Sequence, residues 1–144
     1  NGGSAGDSQH LAAEFVATLD HTKPRPSLPA LSLTTDTSIL TAYANDFGFE
    51  GVFARQVEAL GQPGDVLLGI STSGNSKNVL AAAKAAKDNQ ISVIAFTGET
   101  GGQMADFADL LVAIPSRIIM HIQECHIALG HAITARVETL LSEK

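Results

Sequence analysis

The feature that most constrains the fold is a turn rich in hydroxyl groups and glycine, placed between an apolar run and an alanine-rich segment. The turn spans residues 71–76, the apolar run residues 66–70 and the alanine-rich segment residues 79–86. A buried strand, a turn and a helix in this order leave the unpaired N–H groups of the helix start free to hold an anion. The turn adds four hydroxyl donors, at Ser71, Thr72, Ser73 and Ser76.

Two interpretations of this turn remain open. In the first it binds a phosphate group. In the second it is an ordinary connection in which Asn75 or Ser76 merely caps the following helix. Four hydroxyl groups within one short turn exceed what capping requires, which favours phosphate binding.

Composition limits the classes of function. The chain has 144 residues, enough for one domain with a real core, and 44% of them are apolar. The formal net charge of −6 argues against a nucleic-acid or anionic-membrane surface. No apolar stretch approaches the length of a membrane span, about 20 residues. The single Cys125 excludes an internal disulfide and fits a reducing cytoplasm.

Apolar runs alternate with helical patterns along the chain. Helices are predicted at residues 5–19, 37–44, 50–60, 76–89, 103–108 and 118–141, and strands at residues 28–33, 65–70, 91–96 and 110–114. The strands lack a strict two-residue alternation, which indicates burial on both faces. The pattern therefore predicts an α/β fold, a parallel sheet with helices on both faces, whose ligands bind where the strands end.

A second group of polar residues lies on the first and last predicted helices. His10 and Glu14 are four residues apart and share one helix face, whereas the last helix carries His121, Gln123, Glu124, His126 and His131. A solvated ion pair explains an isolated His and Glu, and a satisfied core hydrogen bond explains a single buried His. Two histidines on separate helices, with Glu and Gln, favour a metal or acid–base site. Spacing alone does not establish that the two helices meet.

These segments together resemble the sugar isomerase (SIS) domain, and within it the phosphoheptose isomerases. The matching motifs are Asn1-Gly2-Gly3-Ser4, His10-x3-Glu14, Asn45-Asp46, Ser71-Thr72-Ser73-Gly74-Asn75-Ser76 and Ile122-Gln123-Glu124-x-His126-x4-His131. The resemblance covers nearly the whole chain and implies a flavodoxin-like three-layer sandwich. Known members have a helix and a first strand ahead of the Asn-Gly-Gly turn, so residues 1–144 are expected to form a single SIS domain without those elements.

The resemblance also implies an activity and a role for each matching residue. The activity is conversion of sedoheptulose 7-phosphate to D-glycero-D-manno-heptose 7-phosphate through an enediol, for lipopolysaccharide core synthesis, by a cytoplasmic homo-oligomer, expected to be a tetramer. The residues implied to bind the phosphate are Ser71, Thr72, Ser73 and Ser76. The residues implied to contact the sugar are Asn1, Gly2, Gly3, Glu14, Asn45, Asp46 and Gln123. The zinc ligands are His10, Glu14, Gln123 and His131, and the proton-transfer pair is Glu14 and His131.

The chain departs from the family pattern at two places. Thr18 and Asp20 stand where an arginine usually follows the glutamate, and His121 stands where an arginine usually precedes Ile-Gln-Glu. Two other functions remain as alternatives: a non-catalytic SIS protein of the kind that binds the DnaA initiator, and a phosphosugar-sensing regulatory domain. The non-catalytic relatives lack the Glu and the last His, so Glu14 and His131 favour an enzyme. The regulatory domain is the least favoured of these functions, because the sequence has no basic patch.

Overall fold

The computed structural model describes residues 1–142, which form a three-stranded parallel sheet with helices on both faces. The helices are α1 (Gly3–Val16), α2 (Thr37–Phe47), α3 (Ala54–Leu60), α4 (Lys77–Asp88) and α5 (Ile119–Ser142). The strands are β1 (Val66–Ser71), β2 (Ser92–Thr97) and β3 (Leu110–Ala113), and short 3-10 turns cover Phe49–Gly51 and Gly102–Asp106. The predicted α/β class is confirmed.

The strands lie in the order β1-β2-β3, and both pairings are parallel. Ser71 pairs with Thr97, and Thr97 pairs with Ala113, so all three strands end at the same edge of the sheet. The segments that follow the strands therefore meet at this edge, where the sequence predicts ligand binding.

Alternate residues of β2 face the two helical layers. Val93 and Ala95 are fully buried in a core that includes Val57 of α3 and Ala83 of α4. Phe96, one position along, points to the other face, where its ring lies 5.5 Å from that of His126 on α5. Small alanine side chains on α4 let this helix approach the sheet closely, which builds a dense core beneath the turn at residues 71–76.

Helices α1 and α5 pack side by side and run in the same direction. Gly3 contacts Gln123, Leu11 contacts Gly130, and the N–H of Leu19 reaches Glu138, so contacts advance together along both helices. A Cβ on Gly130 would lie 2.5 Å from Leu11 Cδ2, a separation that real Cβ atoms do not show. Glycine at this position is therefore required for the close approach of the two helices.

The predicted strand at residues 28–33 is wrong. The N–H of Leu28 donates to the carbonyl of Phe15, and the hydroxyl of Ser32 lies 2.7 Å from that of Ser8. Pro29 has no N–H to give to a sheet ladder. This segment is bonded to α1 instead of joining the sheet.

Several predicted helices also differ from the structure, and the one predicted at residues 103–108 is the 3-10 turn Gly102–Asp106. α1 ends at Val16 because the N–H of Leu19 donates to Glu138 rather than continuing the helix. α2 runs on to Phe47 and ends at Gly48, whose φ of 91° does not suit other residues. The predicted helix at residues 50–60 is divided into a 3-10 turn and α3.

Candidate functional site

The hydroxyl-rich turn lies where β1 ends and α4 begins, as the sequence predicts. The Ser71 hydroxyl donates to the Ser76 hydroxyl at 3.0 Å, and the Ser73 hydroxyl accepts from the N–H of Asn75 at 3.1 Å. Ser76 occupies the N-cap position of α4, but its side chain makes no capping hydrogen bond. The amide of Asn75 bonds instead to the Ser73 carbonyl and to the N–H of Gln103. The geometry gives no support to capping as the reason for these side chains.

This turn is locked against the segment that follows β2. Gly74 has a φ of 66°, and a Cβ there would lie 2.0 Å from the carbonyl oxygen of Gly101. The N–H of Met104 donates to the Gly74 carbonyl at 3.0 Å. Only glycine permits this backbone-to-backbone contact, which fixes the shape of the turn.

The first residue of the chain lies beside the same helix start. The side-chain amides of Asn1 and Asn78 exchange two hydrogen bonds, of 2.9 and 2.8 Å. Asn1, Ser76 and Asn78 line one side of a cavity of about 360 Å³. Asn78 is buried and belongs to no sequence motif, and its pairing with Asn1 places it beside this helix start.

A second cavity, of about 260 Å³, opens at the same edge of the sheet. Thr72 and Ser73 line it together with Glu99 and Arg117. The Arg117 Nε donates to Glu99 Oε2 at 2.5 Å. Arg117 is therefore a cation beside the hydroxyl-rich turn. It belongs to no motif that would mark it in the sequence.

Helices α1 and α5 bring His10, Glu14 and His131 into one cluster. His10 Nε2 lies 3.0 Å from Glu14 Oε1 and 2.9 Å from His131 Nε2, and the distance from His131 Nε2 to Glu14 Oε1 is 3.4 Å. Glu14 is buried, His131 is half-buried and His10 is exposed. The second carboxylate oxygen of Glu14 is also buried and has no hydrogen-bond partner within residues 1–142.

The three donor atoms fit a zinc ion. Zinc binds imidazole nitrogen and carboxylate oxygen at about 2.0–2.2 Å in a tetrahedron, so its ligand atoms lie about 3.3 Å from one another. The observed triangle of 2.9, 3.0 and 3.4 Å is close to one face of that tetrahedron. Its donor set of two imidazoles and a buried, unsatisfied carboxylate also suits this metal.

The other residues named from the sequence lie around this arrangement. The amide of Gln123 lies against Gly3 in the first turn of α1, since a Cβ on Gly3 would be 2.7 Å from its Nε2. Gly2 is the exposed N-cap residue of α1. Asn45 and Asp46 are exposed in the last turn of α2 and share a 2.8 Å hydrogen bond. None of these five residues is a member of the cluster formed by His10, Glu14 and His131.

One buried and one half-buried ionisable group, His126 and Asp7, accompany the cluster between α1 and α5. His126 is fully buried, its Nε2 donates to the carbonyl of Thr97 at 3.0 Å, and burial lowers its pKa against the effects of Thr97 and Asp7. Burial raises the pKa of Asp7, against the charges of His126 and His10. Asp7 Oδ2 and His126 Nδ1 are both buried without a hydrogen-bond partner within residues 1–142. Asp7 and Glu14 are seven residues apart and lie on the same face of α1.

No helix in residues 1–142 is both long enough and apolar enough to cross a lipid bilayer.

Comparisons with known proteins agree on one family. The family model described as the SIS domain matches residues 1–98. A phosphoheptose isomerase of a Roseiflexus species is 53% identical over 144 residues, which is 100% of this chain and 72% of that protein. The phosphoheptose isomerase of Aquifex aeolicus is 54% identical over 100% of this chain and 74% of its own length.

Solved structures show the same relationship. The phosphoheptose isomerase of Neisseria gonorrhoeae superposes with a TM-score of 0.89 and 49% identity, over 96% of this chain and 73% of that one. The phosphoheptose isomerase of Francisella tularensis also gives a TM-score of 0.89, with 37% identity over 100% of this chain and 74% of its own.

Proposed function

This chain belongs to the SIS-domain family of phosphoheptose isomerases, and from that premise we propose that it converts sedoheptulose 7-phosphate to D-glycero-D-manno-heptose 7-phosphate. The chain is thus a phosphosugar isomerase, and the proposal concerns its substrate, mechanism and residues. The observation that carries it is the 3.4 Å separation of the Glu14 carboxylate and the His131 imidazole. Aldose–ketose isomerisation needs a base that removes a proton from carbon and a group that moves a proton between the two oxygens. The Glu14 carboxylate and the His131 imidazole are close enough to do both on one sugar.

The proposed reaction moves two protons. Glu14 removes a proton from C1 of the ketose to give an enediol and returns it to C2. His131 carries the hydroxyl proton from O1 to O2, so the aldose has its carbonyl at C1 and the atoms balance. Burial of Glu14 reduces competition from bulk water for the proton it holds.

His10, Glu14 and His131 are the proposed zinc ligands, with Gln123 as the fourth by analogy with the family. Bound zinc would polarise the substrate carbonyl and so acidify the neighbouring C–H group. His10 has no part in the proton transfer of this proposal, so it separates metal binding from acid–base chemistry in an experiment.

The hydroxyl-rich turn is the proposed phosphate site. Ser71, Thr72, Ser73 and Ser76 would donate to the phosphate oxygens, together with N–H groups at the start of α4. The net charge of −6 means that bulk charge gives little help, so local donors must hold the anion. The residues proposed to contact the sugar are Asn1, Gly2, Gly3, Asn45, Asp46 and Gln123.

We extend the proposal to assembly and location. Several large apolar side chains of the described residues are exposed, among them Phe47, Phe49, Ile119, Met120 and Leu140. Exposed apolar area of this kind is typical of a surface that a subunit covers. We propose a homotetramer located in the cytoplasm, where the lone Cys125 stays reduced.

A coupled assay tests the proposed function. Purified protein is supplied with sedoheptulose 7-phosphate, with and without added zinc, and a kinase that acts on the aldose product reports turnover. Unphosphorylated sedoheptulose is the control for the phosphate site. Turnover that requires the phosphate group supports the proposal. Binding of the phosphosugar without any turnover would instead identify a non-catalytic SIS protein.

A further inference from the structure

We propose that Arg25 is a positioning residue for the Glu14–His131 pair and acts through the last turn of α1. The catalytic role of Glu14 and His131 rests on the proposed function, whereas their positioning by Arg25 rests on contacts within the chain. Arg25 lies in the segment between α1 and α2, and its side chain is 2% exposed. A buried guanidinium must donate its hydrogen bonds to protein acceptors, so the identity of these acceptors indicates what Arg25 holds in place.

The first acceptors are carbonyl groups at the end of α1. Glu14 lies in the last turn of a helix that ends at Val16, and carbonyls in a last turn have no partner within the helix. Arg25 Nη2 donates to the carbonyl of Glu14 at 2.7 Å, and Arg25 Nη1 donates to that of Phe15 at 3.0 Å. Arg25 therefore replaces the N–H groups that a further helical turn would supply.

Two acceptors remain: the carbonyl of Pro26, which accepts from Arg25 Nη1 at 2.9 Å, and the carboxylate of Glu138 on α5. Arg25 Nε donates to Glu138 Oε1 at 2.7 Å, and this carboxylate also accepts from the N–H groups of Leu19 and Asp20. Thr18 adds a hydroxyl donor at 3.1 Å. The chain just beyond α1 is thus tied to α5 through one buried ion pair.

The ion pair lies on the helix face that carries the site. Glu138 follows His131 by seven residues, two turns of α5, so both side chains project from the same face. Arg25 joins that face to the turn of α1 that holds Glu14. Because Glu14 and His131 meet across the two helices, any slippage of α1 against α5 changes their 3.4 Å separation directly.

The variant Arg25→Lys tests this inference. Lysine keeps the positive charge beside Glu138, but a single ammonium group cannot donate to four divergent acceptors as a planar guanidinium does. We expect kcat and zinc affinity each to fall by about 10-fold or more, the size typical of lost outer support for a metal ligand. KM for the phosphosugar should stay within about twofold of wild type, because the phosphate turn lies on other elements. Hydrogen exchange at Val16 and Ala17 should accelerate.

Gln56→Ala is the matched control. Gln56 is also buried, and its amide donates to the carbonyls of Leu33 and Val52 at 3.0 and 2.9 Å, but it lies on α3. We expect a fall in Tm with kcat and zinc affinity unchanged. The proposal is overturned if Gln56→Ala lowers both quantities as much as Arg25→Lys does, or if Arg25→Lys lowers Tm alone.

Glu138→Gln keeps the test decisive if Arg25→Lys folds poorly. The glutamine retains an oxygen acceptor but loses the charge, so kcat and zinc affinity should fall in the same direction and by less. Wild-type values of both quantities in Glu138→Gln contradict the proposal. A wild-type protein that neither binds zinc nor turns over substrate would contradict the proposed function instead, and hydrogen exchange would still report whether Arg25 orders the end of α1.

Discussion

Glu14 Oε1 lies 3.4 Å from His131 Nε2, although the two residues come from the first and the last helix. The contact depends on α1 and α5 running in parallel, with Leu11 packed directly on Gly130. His10 Nε2 lies within 3.0 Å of both groups. One small region therefore offers both a metal-binding triangle and an acid–base pair.

Glu14→Gln and His131→Gln should each lower kcat by about 10²–10⁴-fold, the usual contribution of a positioned proton-transfer group. Steady-state kinetics measure the effect, and circular dichroism should show an intact fold. The double variant should cost far less than the product of the two single losses, because residues that act as a unit are not additive.

The exposed Glu58 on α3 provides the control, and Glu58→Gln should retain wild-type kcat. A kcat for Glu14→Gln within about threefold of the control would remove this residue from the proposed mechanism.

Removal of zinc by dialysis against a chelator should abolish turnover, and added zinc should restore it. Zinc that binds only the folded state also raises stability, by about 2.7 kcal/mol at 100 times its Kd, so Tm should fall in the apo protein. His10→Gln should lower the zinc content measured by mass spectrometry, whereas His121→Gln, a change at an exposed histidine of α5, should not. Stoichiometric zinc in His10→Gln would argue against the proposed ligand set.

Replacing Ser71 and Ser73 together with alanine should raise KM for the phosphosugar strongly. Each hydrogen bond to a charged group is worth about 1.5–3 kcal/mol, and one such bond alone corresponds to at least a 10-fold change. Ser92→Ala, an exposed change at the opposite end of β2, is the control. An unchanged KM in the double variant would place the phosphate elsewhere.

Acid should destabilise the protein through Glu138. Hydrogen bonding from the Leu19 N–H, followed by Arg25, Asp20 and Thr18, holds the pKa of Glu138 below its ordinary range. A lowered carboxyl pKa stabilises the folded state at neutral pH, and this contribution is lost as pH falls through about 4.3 toward the folded value. Urea unfolding between pH 7 and pH 3 should therefore show a shallower acid loss for Glu138→Gln than for wild type. Parallel profiles for the two proteins would refute this assignment.

The protein should sediment as a tetramer at micromolar concentration. An apolar patch at the start of α5 consists of the exposed Ile118, Ile119 and Met120. The variant Ile119→Lys should weaken any association that covers this patch. Lysine in place of the exposed Thr139 on the same α5 is the control. A monomeric wild-type protein would refute the proposed assembly.

The sequence predicts the sheet well because each of its strands is an apolar run that ends in a glycine or hydroxyl turn. It fails at residues 28–33, where an apolar run that looks like a strand is held by α1 through Leu28 and Ser32. Local pattern cannot reveal which neighbour will satisfy a backbone group. The same limit applies to α1, whose end is set by Glu138 from the far end of the chain.

Candidate site residues could be named from the sequence only through motifs. His10 and Glu14 share a helix face by spacing, but their meeting with His131 needed the family resemblance. Arg25 carries no motif, because its acceptors are three main-chain carbonyls and a distant carboxylate. Only the structure shows that Arg25 reaches back from the following segment to the end of α1.

The contact between Gly74 and Gly101 has a thermodynamic consequence for ligand capture. The turn that would receive a phosphate is held in its observed shape by the neighbouring segment, through the Met104 N–H and the Asn75 side chain. An anion entering it does not have to freeze a mobile segment, so little conformational entropy is lost by the protein. A larger share of the hydrogen-bond free energy gained there then appears as affinity, and association does not wait for the turn to become ordered.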